Sequence, residues 1–173
     1  LQPGLEGKQV GSINDLIVMM LLVGLLNTAI ILVQLGPNWT NLMADVWAVG
    51  LTLLNGITFL QHLRGMKYRH SRGFATRKLN AVAKSATLHG LFWGSLPLMI
   101  AINANDTEFM ACITITAGMM FGGTFLLSRV PQAAVCFVIP IGLGLLCASL
   151  LRGGLTSHLI GVLSAIYVFV LIY

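Results

Sequence analysis

The run PQAAVCFVIPIGLGLLCASLL, residues 131–151, holds no charged side chain, although Arg129 and Arg152 flank it. A bilayer core about 30 Å thick is crossed by about 20 helical residues, so this stretch has the length and composition of one crossing. It is twice the length of a barrel strand and shows no strict alternation. Five more apolar runs follow the same pattern, at 14–36, 42–63, 86–104, 109–128 and 155–173. GPNWTN, NANDTE, SRVPQ and RGGLTS break the chain between them with Gly, Pro, Asn and Ser. Breaks this short place sequence neighbours side by side and antiparallel. The predicted fold is all-α: a polytopic membrane bundle of six transmembrane helices.

Composition agrees. Of 173 residues, 57% are hydrophobic and only 9% charged, and the mean hydropathy is +0.88. A water-soluble domain carries about a quarter charged residues, so lipid is the solvent this surface suits. Cys112, Cys136 and Cys147 are odd in number, lie in apolar runs and form no C-x-x-C pair, which excludes a disulfide frame and a zinc site. The sequence holds no P-loop, H-E-x-x-H or G-x-S-x-G pattern. With few carboxylates at membrane depth, it predicts neither catalysis nor a cofactor within these residues. A bis-histidine haem on His62 and His89 is an alternative, and the pair carries no other haem signature.

The net charge of +5 comes mostly from one place. HLRGMKYRHSRGFATRKLNAVAK, residues 62–84, contains seven of the ten Lys and Arg residues: Arg64, Lys67, Arg69, Arg72, Arg77, Lys78 and Lys84. Short basic loops stay cytoplasmic, so the loop 64–85 orients the bundle with both termini inside. Residues 1–13 then form a cytoplasmic amino-terminal segment. Lys8 and Arg129 agree, and Arg152, on a turn assigned to the outside, dissents. The cluster suits anionic lipid headgroups. Aromatic interleaving is limited to Tyr68 and Phe74, so nucleic acid is not an expected partner.

Within the spans, Asn27, Gln34, Thr52, Asn55, Thr58 and Gln61 are expected to find hydrogen-bond partners on other helices. LHGLFWGSLP is the densest motif. Ala86, Gly90 and Gly94 recur every four residues and make a flat strip for close helix approach; Thr114, Gly118 and Gly122 make a second strip. Pro97 and Pro140 each remove a helical donor and are expected to kink their helices. His89 and Trp93, four apart beside Pro97, are the candidate ligand-binding residues, with Asn55 and Met119 lining the same pocket. The plainer alternative is a packing helix with Trp93 as filler.

LHGLFWGSLPLMI followed by AGMMFGGTFLLSRVPQAAVCFVIPIGLGL, after a basic loop, resembles the six-helix amino-terminal membrane regions of bacterial signalling proteins. The resemblance spans about residues 40–173. It implies a sensory module in the bacterial inner membrane that responds to a small apolar or membrane-borne signal. It also implies a cytoplasmic output domain after residue 173, most often a GGDEF or EAL domain that makes or breaks cyclic di-GMP, sometimes a histidine kinase. Such outputs work as pairs, so a homodimer is expected. No catalytic residue is implied within the membrane region. A small transporter or half-transporter, and a structural subunit or anchor of a membrane complex, are the other readings the sequence leaves open.

Overall fold

The computed structural model describes residues 3–35, 40–67, 74–128 and 130–172; the side chains of 3–17, 40–41, 62, 65–67 and 74–78 lie outside that description. Six helices follow one another: α1 (Pro3–Leu35), α2 (Thr40–Lys67), α3 (Phe74–Ile100), α4 (Asp106–Leu127), α5 (Pro131–Arg152) and α6 (Leu155–Ile172). Among the described residues there is no strand. In lipid each backbone polar group must be satisfied within its own segment, which is why such apolar runs become helices.

Five helices, all but α3, are long and apolar enough to cross a membrane. The exception has a physical reason. α3 carries Lys84, His89, Ser85 and Ser95 among its apolar residues, and it lies at the centre of the bundle. Ala86, His89, Gly90, Trp93, Gly94, Leu96, Pro97 and Ile100 are all buried. A helix wrapped by protein has no need of lipid-compatible side chains all round. Its final turn also closes earlier than the expected span: 101–104 is a turn rather than helix.

The expected basic loop is shorter than its charge cluster. α2 runs on to Lys67 and α3 begins at Phe74. Arg64 and Lys67 therefore sit on the last turns of α2, and Arg77, Lys78 and Lys84 on the first turns of α3. Arg69 and Arg72 fall outside the described residues. The side chains of Arg64 and Lys84 are exposed.

α3 and α5 form the heart of the bundle. A Cβ on Gly90 would lie 2.5 Å from the carbonyl oxygen of Phe137. One on Gly94 would strike the Pro140 carbonyl, and one on Gly144 the Gly94 carbonyl. The glycines thus let two backbones touch, the close approach that replaces hydrophobic driving force inside lipid. Both helices continue through their prolines, Pro97 and Pro140. Since Gly90 meets Phe137 and Gly94 meets Pro140, the two helices run parallel.

The second small-residue strip behaves differently from expectation. Gly118 and Gly122 are exposed and face open space. Their neighbour Gly123 takes the packing role, with its Cα against the ring of Phe137. α6 joins the bundle mainly through α5: Gly142 opposes Val168, and Gly161 opposes Ser149. Tyr167 also meets Phe121 of α4 edge-on, with ring centroids 4.9 Å apart. Only 11% of the α6 span is buried, against 50% for α5.

Candidate functional site

The polar core forms where α1, α2, α3 and α4 meet. Asn55 of α2 and His89 of α3 are buried and face each other, with Asn55 Oδ1 2.8 Å from His89 Nε2. The other ring nitrogen, Nδ1, lies 2.8 Å from the carbonyl oxygen of Ser85 and 3.4 Å from its hydroxyl. Ser85 in turn pairs with Thr58 of α2 at 3.2 Å. The result is one string of polar groups, Thr58–Ser85–His89–Asn55, zipping α2 to α3.

Hydrogen-bond chemistry offers this string two neutral states. In one, Nε2 carries the proton and donates to Asn55 Oδ1, while Nδ1 accepts from the Ser85 hydroxyl. Asn55 Nδ2 is then a buried donor without a partner. It points toward α1, 3.7 Å from where a Cβ on Gly24 would sit. In the other, Nδ1 carries the proton and donates to the Ser85 carbonyl, the amide turns over and Nδ2 donates to Nε2. The two states differ by the place of one proton on the ring and a half-turn of one side chain.

The four candidate residues are all buried, but they do not make one contact set. His89 and Asn55 are direct partners. Met119 of α4 instead accepts from Asn27 Nδ2 of α1 at 2.8 Å. Trp93 packs edge-on against Trp47 of α2, with ring centroids 5.2 Å apart and planes at 79°.

Trp47 was not singled out from the sequence. Its indole Nε1 donates to the Phe92 carbonyl at 2.6 Å, and Ser95 Oγ donates to the same oxygen at 2.8 Å. That carbonyl lies one residue before Trp93, whose own carbonyl loses its helical donor to Pro97. The only sequence signal was a tryptophan near a proline-bearing partner helix, and that signal is weak.

The expected interhelical partners appear for Asn27, Asn55 and Thr58. Gln34, Thr52 and Gln61 are exposed on the outside of the bundle and make no hydrogen bond among the described residues. Their helices need only one inward face, and these three positions lie off it. The side chain of His62, named for a haem pair, is outside the description.

Arg152, the charge that dissented from the topology, is fully engaged. Its Nη1 donates to the carbonyls of Ala101 at 3.0 Å and Ala104 at 2.8 Å, just beyond the end of α3. Its Nη2 pairs with Asp106 at 2.6 Å, and the guanidinium lies 4.4 Å above the Phe109 ring. A cation at a helix carboxy-terminus meets the negative end of the dipole. Arg152 thus ties the end of α5 to the α3–α4 turn. That turn is itself fixed by a capping box, in which Glu108 N donates to Asn105 Oδ1 and Asn105 N donates to Glu108 Oε2.

Among the described residues no group of three His, Cys, Asp or Glu side chains could hold a metal ion. Comparison with family models, with curated proteins and with solved structures gives no match.

Proposed function

We propose that this chain is a regulatory membrane module of a bacterial signalling protein, with both termini cytoplasmic and α6 leading to an output domain. The observation that carries the reading is the buried His89–Asn55 pair, a two-state polar element set at the centre of the bundle. α3 bears His89 and interlocks with α5 through Gly90, Gly94 and Gly144. α5 in turn is the main support of α6. A small apolar or membrane-borne signal, or a proton, that favours one state of the pair biases α3 and is passed through α5 to α6. Coupling of about 1–3 kcal/mol between such sites changes an output five- to a hundredfold. The output expected is cyclic di-GMP turnover by a homodimer. The open Gly118–Gly122 face of α4 supports a second copy, because it is flat and unused within the bundle.

The test joins residues 1–173 through α6 to a cyclic di-GMP-forming catalytic domain and measures product in cells. The expected result is an output that differs from that of the domain alone and moves with His89→Ala and Asn55→Ala at equal expression. Identical output from all four proteins refutes the regulatory reading and leaves an anchor.

A further inference from the structure

Where α3 gives way to α4 and α5 to α6, a cavity of about 640 Å³ opens between the two turns. Ile102, Phe109, Met110 and Leu151 line it with apolar surface, while Asp106, Arg152 and Ser157 supply polar groups. Ser157 is only 9% exposed, yet its hydroxyl has no hydrogen-bond partner among the described residues. Its oxygen keeps some accessible surface, and the residue lies on the cavity wall, so a ligand group there can reach it.

The backbone points the same way. The first hydrogen bond of α6 runs from His158 N to Gly154 O, at 3.1 Å. The N–H groups of Leu155, Thr156 and Ser157 are therefore uncommitted at the start of an 18-residue helix. Such an end carries positive potential and receives anions. Gly153 and Gly154, with φ of 71° and 83°, approach the cavity without side chains, and a Cβ on either would meet open space.

Charge selects among anions. Arg152 and Asp106 cancel, so the site is neutral overall but has separated poles. The Arg152 guanidinium already donates to Ala101, Ala104 and Asp106, and the Asp106 side chain is 96% exposed. A bare anion would meet that carboxylate as a like charge. A ligand that carries a protonated amine beside its anionic group satisfies both poles. We infer that this cavity binds a zwitterionic amphiphile: a phosphate or carboxylate on the α6 amino-terminus and Ser157, a primary ammonium on Asp106, and an apolar portion along Phe109 and Met110. The headgroup of phosphatidylethanolamine and a free zwitterion such as an apolar amino acid share this chemistry. The inference is independent of the regulatory reading, because it requires only binding.

The test uses the whole chain in phosphatidylcholine nanodiscs. One arm adds phosphatidylethanolamine or phosphatidylglycerol and reads retained lipid by native mass spectrometry. The other adds O-phosphoethanolamine, leucine or inorganic phosphate and reads binding by saturation-transfer NMR. The expected result is preference for the amine-bearing ligand in at least one arm, and the arm that responds identifies the source. Ser157→Leu, which removes the hydroxyl and crowds the wall beside the α6 amino-terminus, lowers that binding by about tenfold or more, the loss of one good polar contact. Asp106→Asn changes an exposed side chain and keeps the fold; it removes the negative pole and erases the preference for the amine. Absence of binding in both arms overturns the proposal, as does unchanged preference in Asp106→Asn.

Discussion

Gly144→Ala is the sharpest probe of the α3–α5 seam. The added methyl would overlap the carbonyl oxygen, carbonyl carbon and Cα of Gly94, all of them backbone. No side-chain rotamer relieves that overlap, so the two helices must separate. Restoring an ordinary contact of about 3.5 Å to the carbonyl oxygen opens the seam by roughly 1.5 Å, and a gap of that size forfeits about half or more of each dispersion contact beside it. Gly90 and Gly94 of α3 share the seam and lose their contacts with Phe137 and Pro140 together. The expected destabilisation is about 3 kcal/mol, the upper end for overpacking. Gly118→Ala is the matched control: it faces open space and gains up to about 1 kcal/mol from helix propensity. Unfolding followed by SDS titration in mixed micelles, read by circular dichroism, compares the two. Equal midpoints for the two variants would refute the backbone-contact account of the bundle.

Three further outcomes are expected. In a double-mutant cycle, His89→Ala and Asn55→Ala couple by about 1 kcal/mol, near the upper range for hydrogen bonds between membrane helices; strict additivity would show that the pair makes no net bond. Arg152→Lys destabilises by about 1–3 kcal/mol, since one ammonium cannot serve Ala101, Ala104 and Asp106 while stacking on Phe109. Asp106→Asn at the exposed end of the same pair costs under about 1 kcal/mol, and a larger cost for Asp106→Asn than for Arg152→Lys contradicts this ranking. Trp47→Phe removes one of two donors to the Phe92 carbonyl and costs about 0.5–1.5 kcal/mol; unchanged stability together with an unchanged Trp93 emission maximum would show that the contact is idle.

Helix number and order were legible because the breaks between apolar runs are made of Gly, Pro, Asn and Ser, and because α4 and α5 begin at Asp106 and Pro131 as capping chemistry requires. The inward faces were not. Ala86–Gly90–Gly94 and Thr114–Gly118–Gly122 are the same pattern, yet one is pressed against α5 and the other looks outward. In a soluble protein the polar side of a helix marks the outside. Here both sides are apolar, so periodicity carries no sign. The His89–Asn55 contact was half legible: both residues stood out as polar groups in lipid, but their pairing depends on the register of α2 against α3. Arg152 counts for little as a topological signal, because the cation serves three acceptors and an aromatic face.

The weak apolar character of α3 has a consequence for how the chain is made. A segment bearing Lys84, His89, Ser85, Ser95 and Pro97 gains little from lipid on its own, so its place in the bilayer depends on the helices that later enclose it. Its principal partner, α5, is synthesised some fifty residues after it. During that interval the membrane machinery, rather than the bilayer, is expected to hold α3. Nascent chains stopped before Pro131 are expected to show α3 accessible to aqueous thiol reagents through a cysteine placed at Ser95, and chains extended past Arg152 to show it protected. Equal protection in both would mean that α3 settles in lipid unaided. Biogenesis, more than final stability, is then the stage at which substitutions along Gly90, Gly94 and Gly144 do their damage: they strand a helix that has no other home.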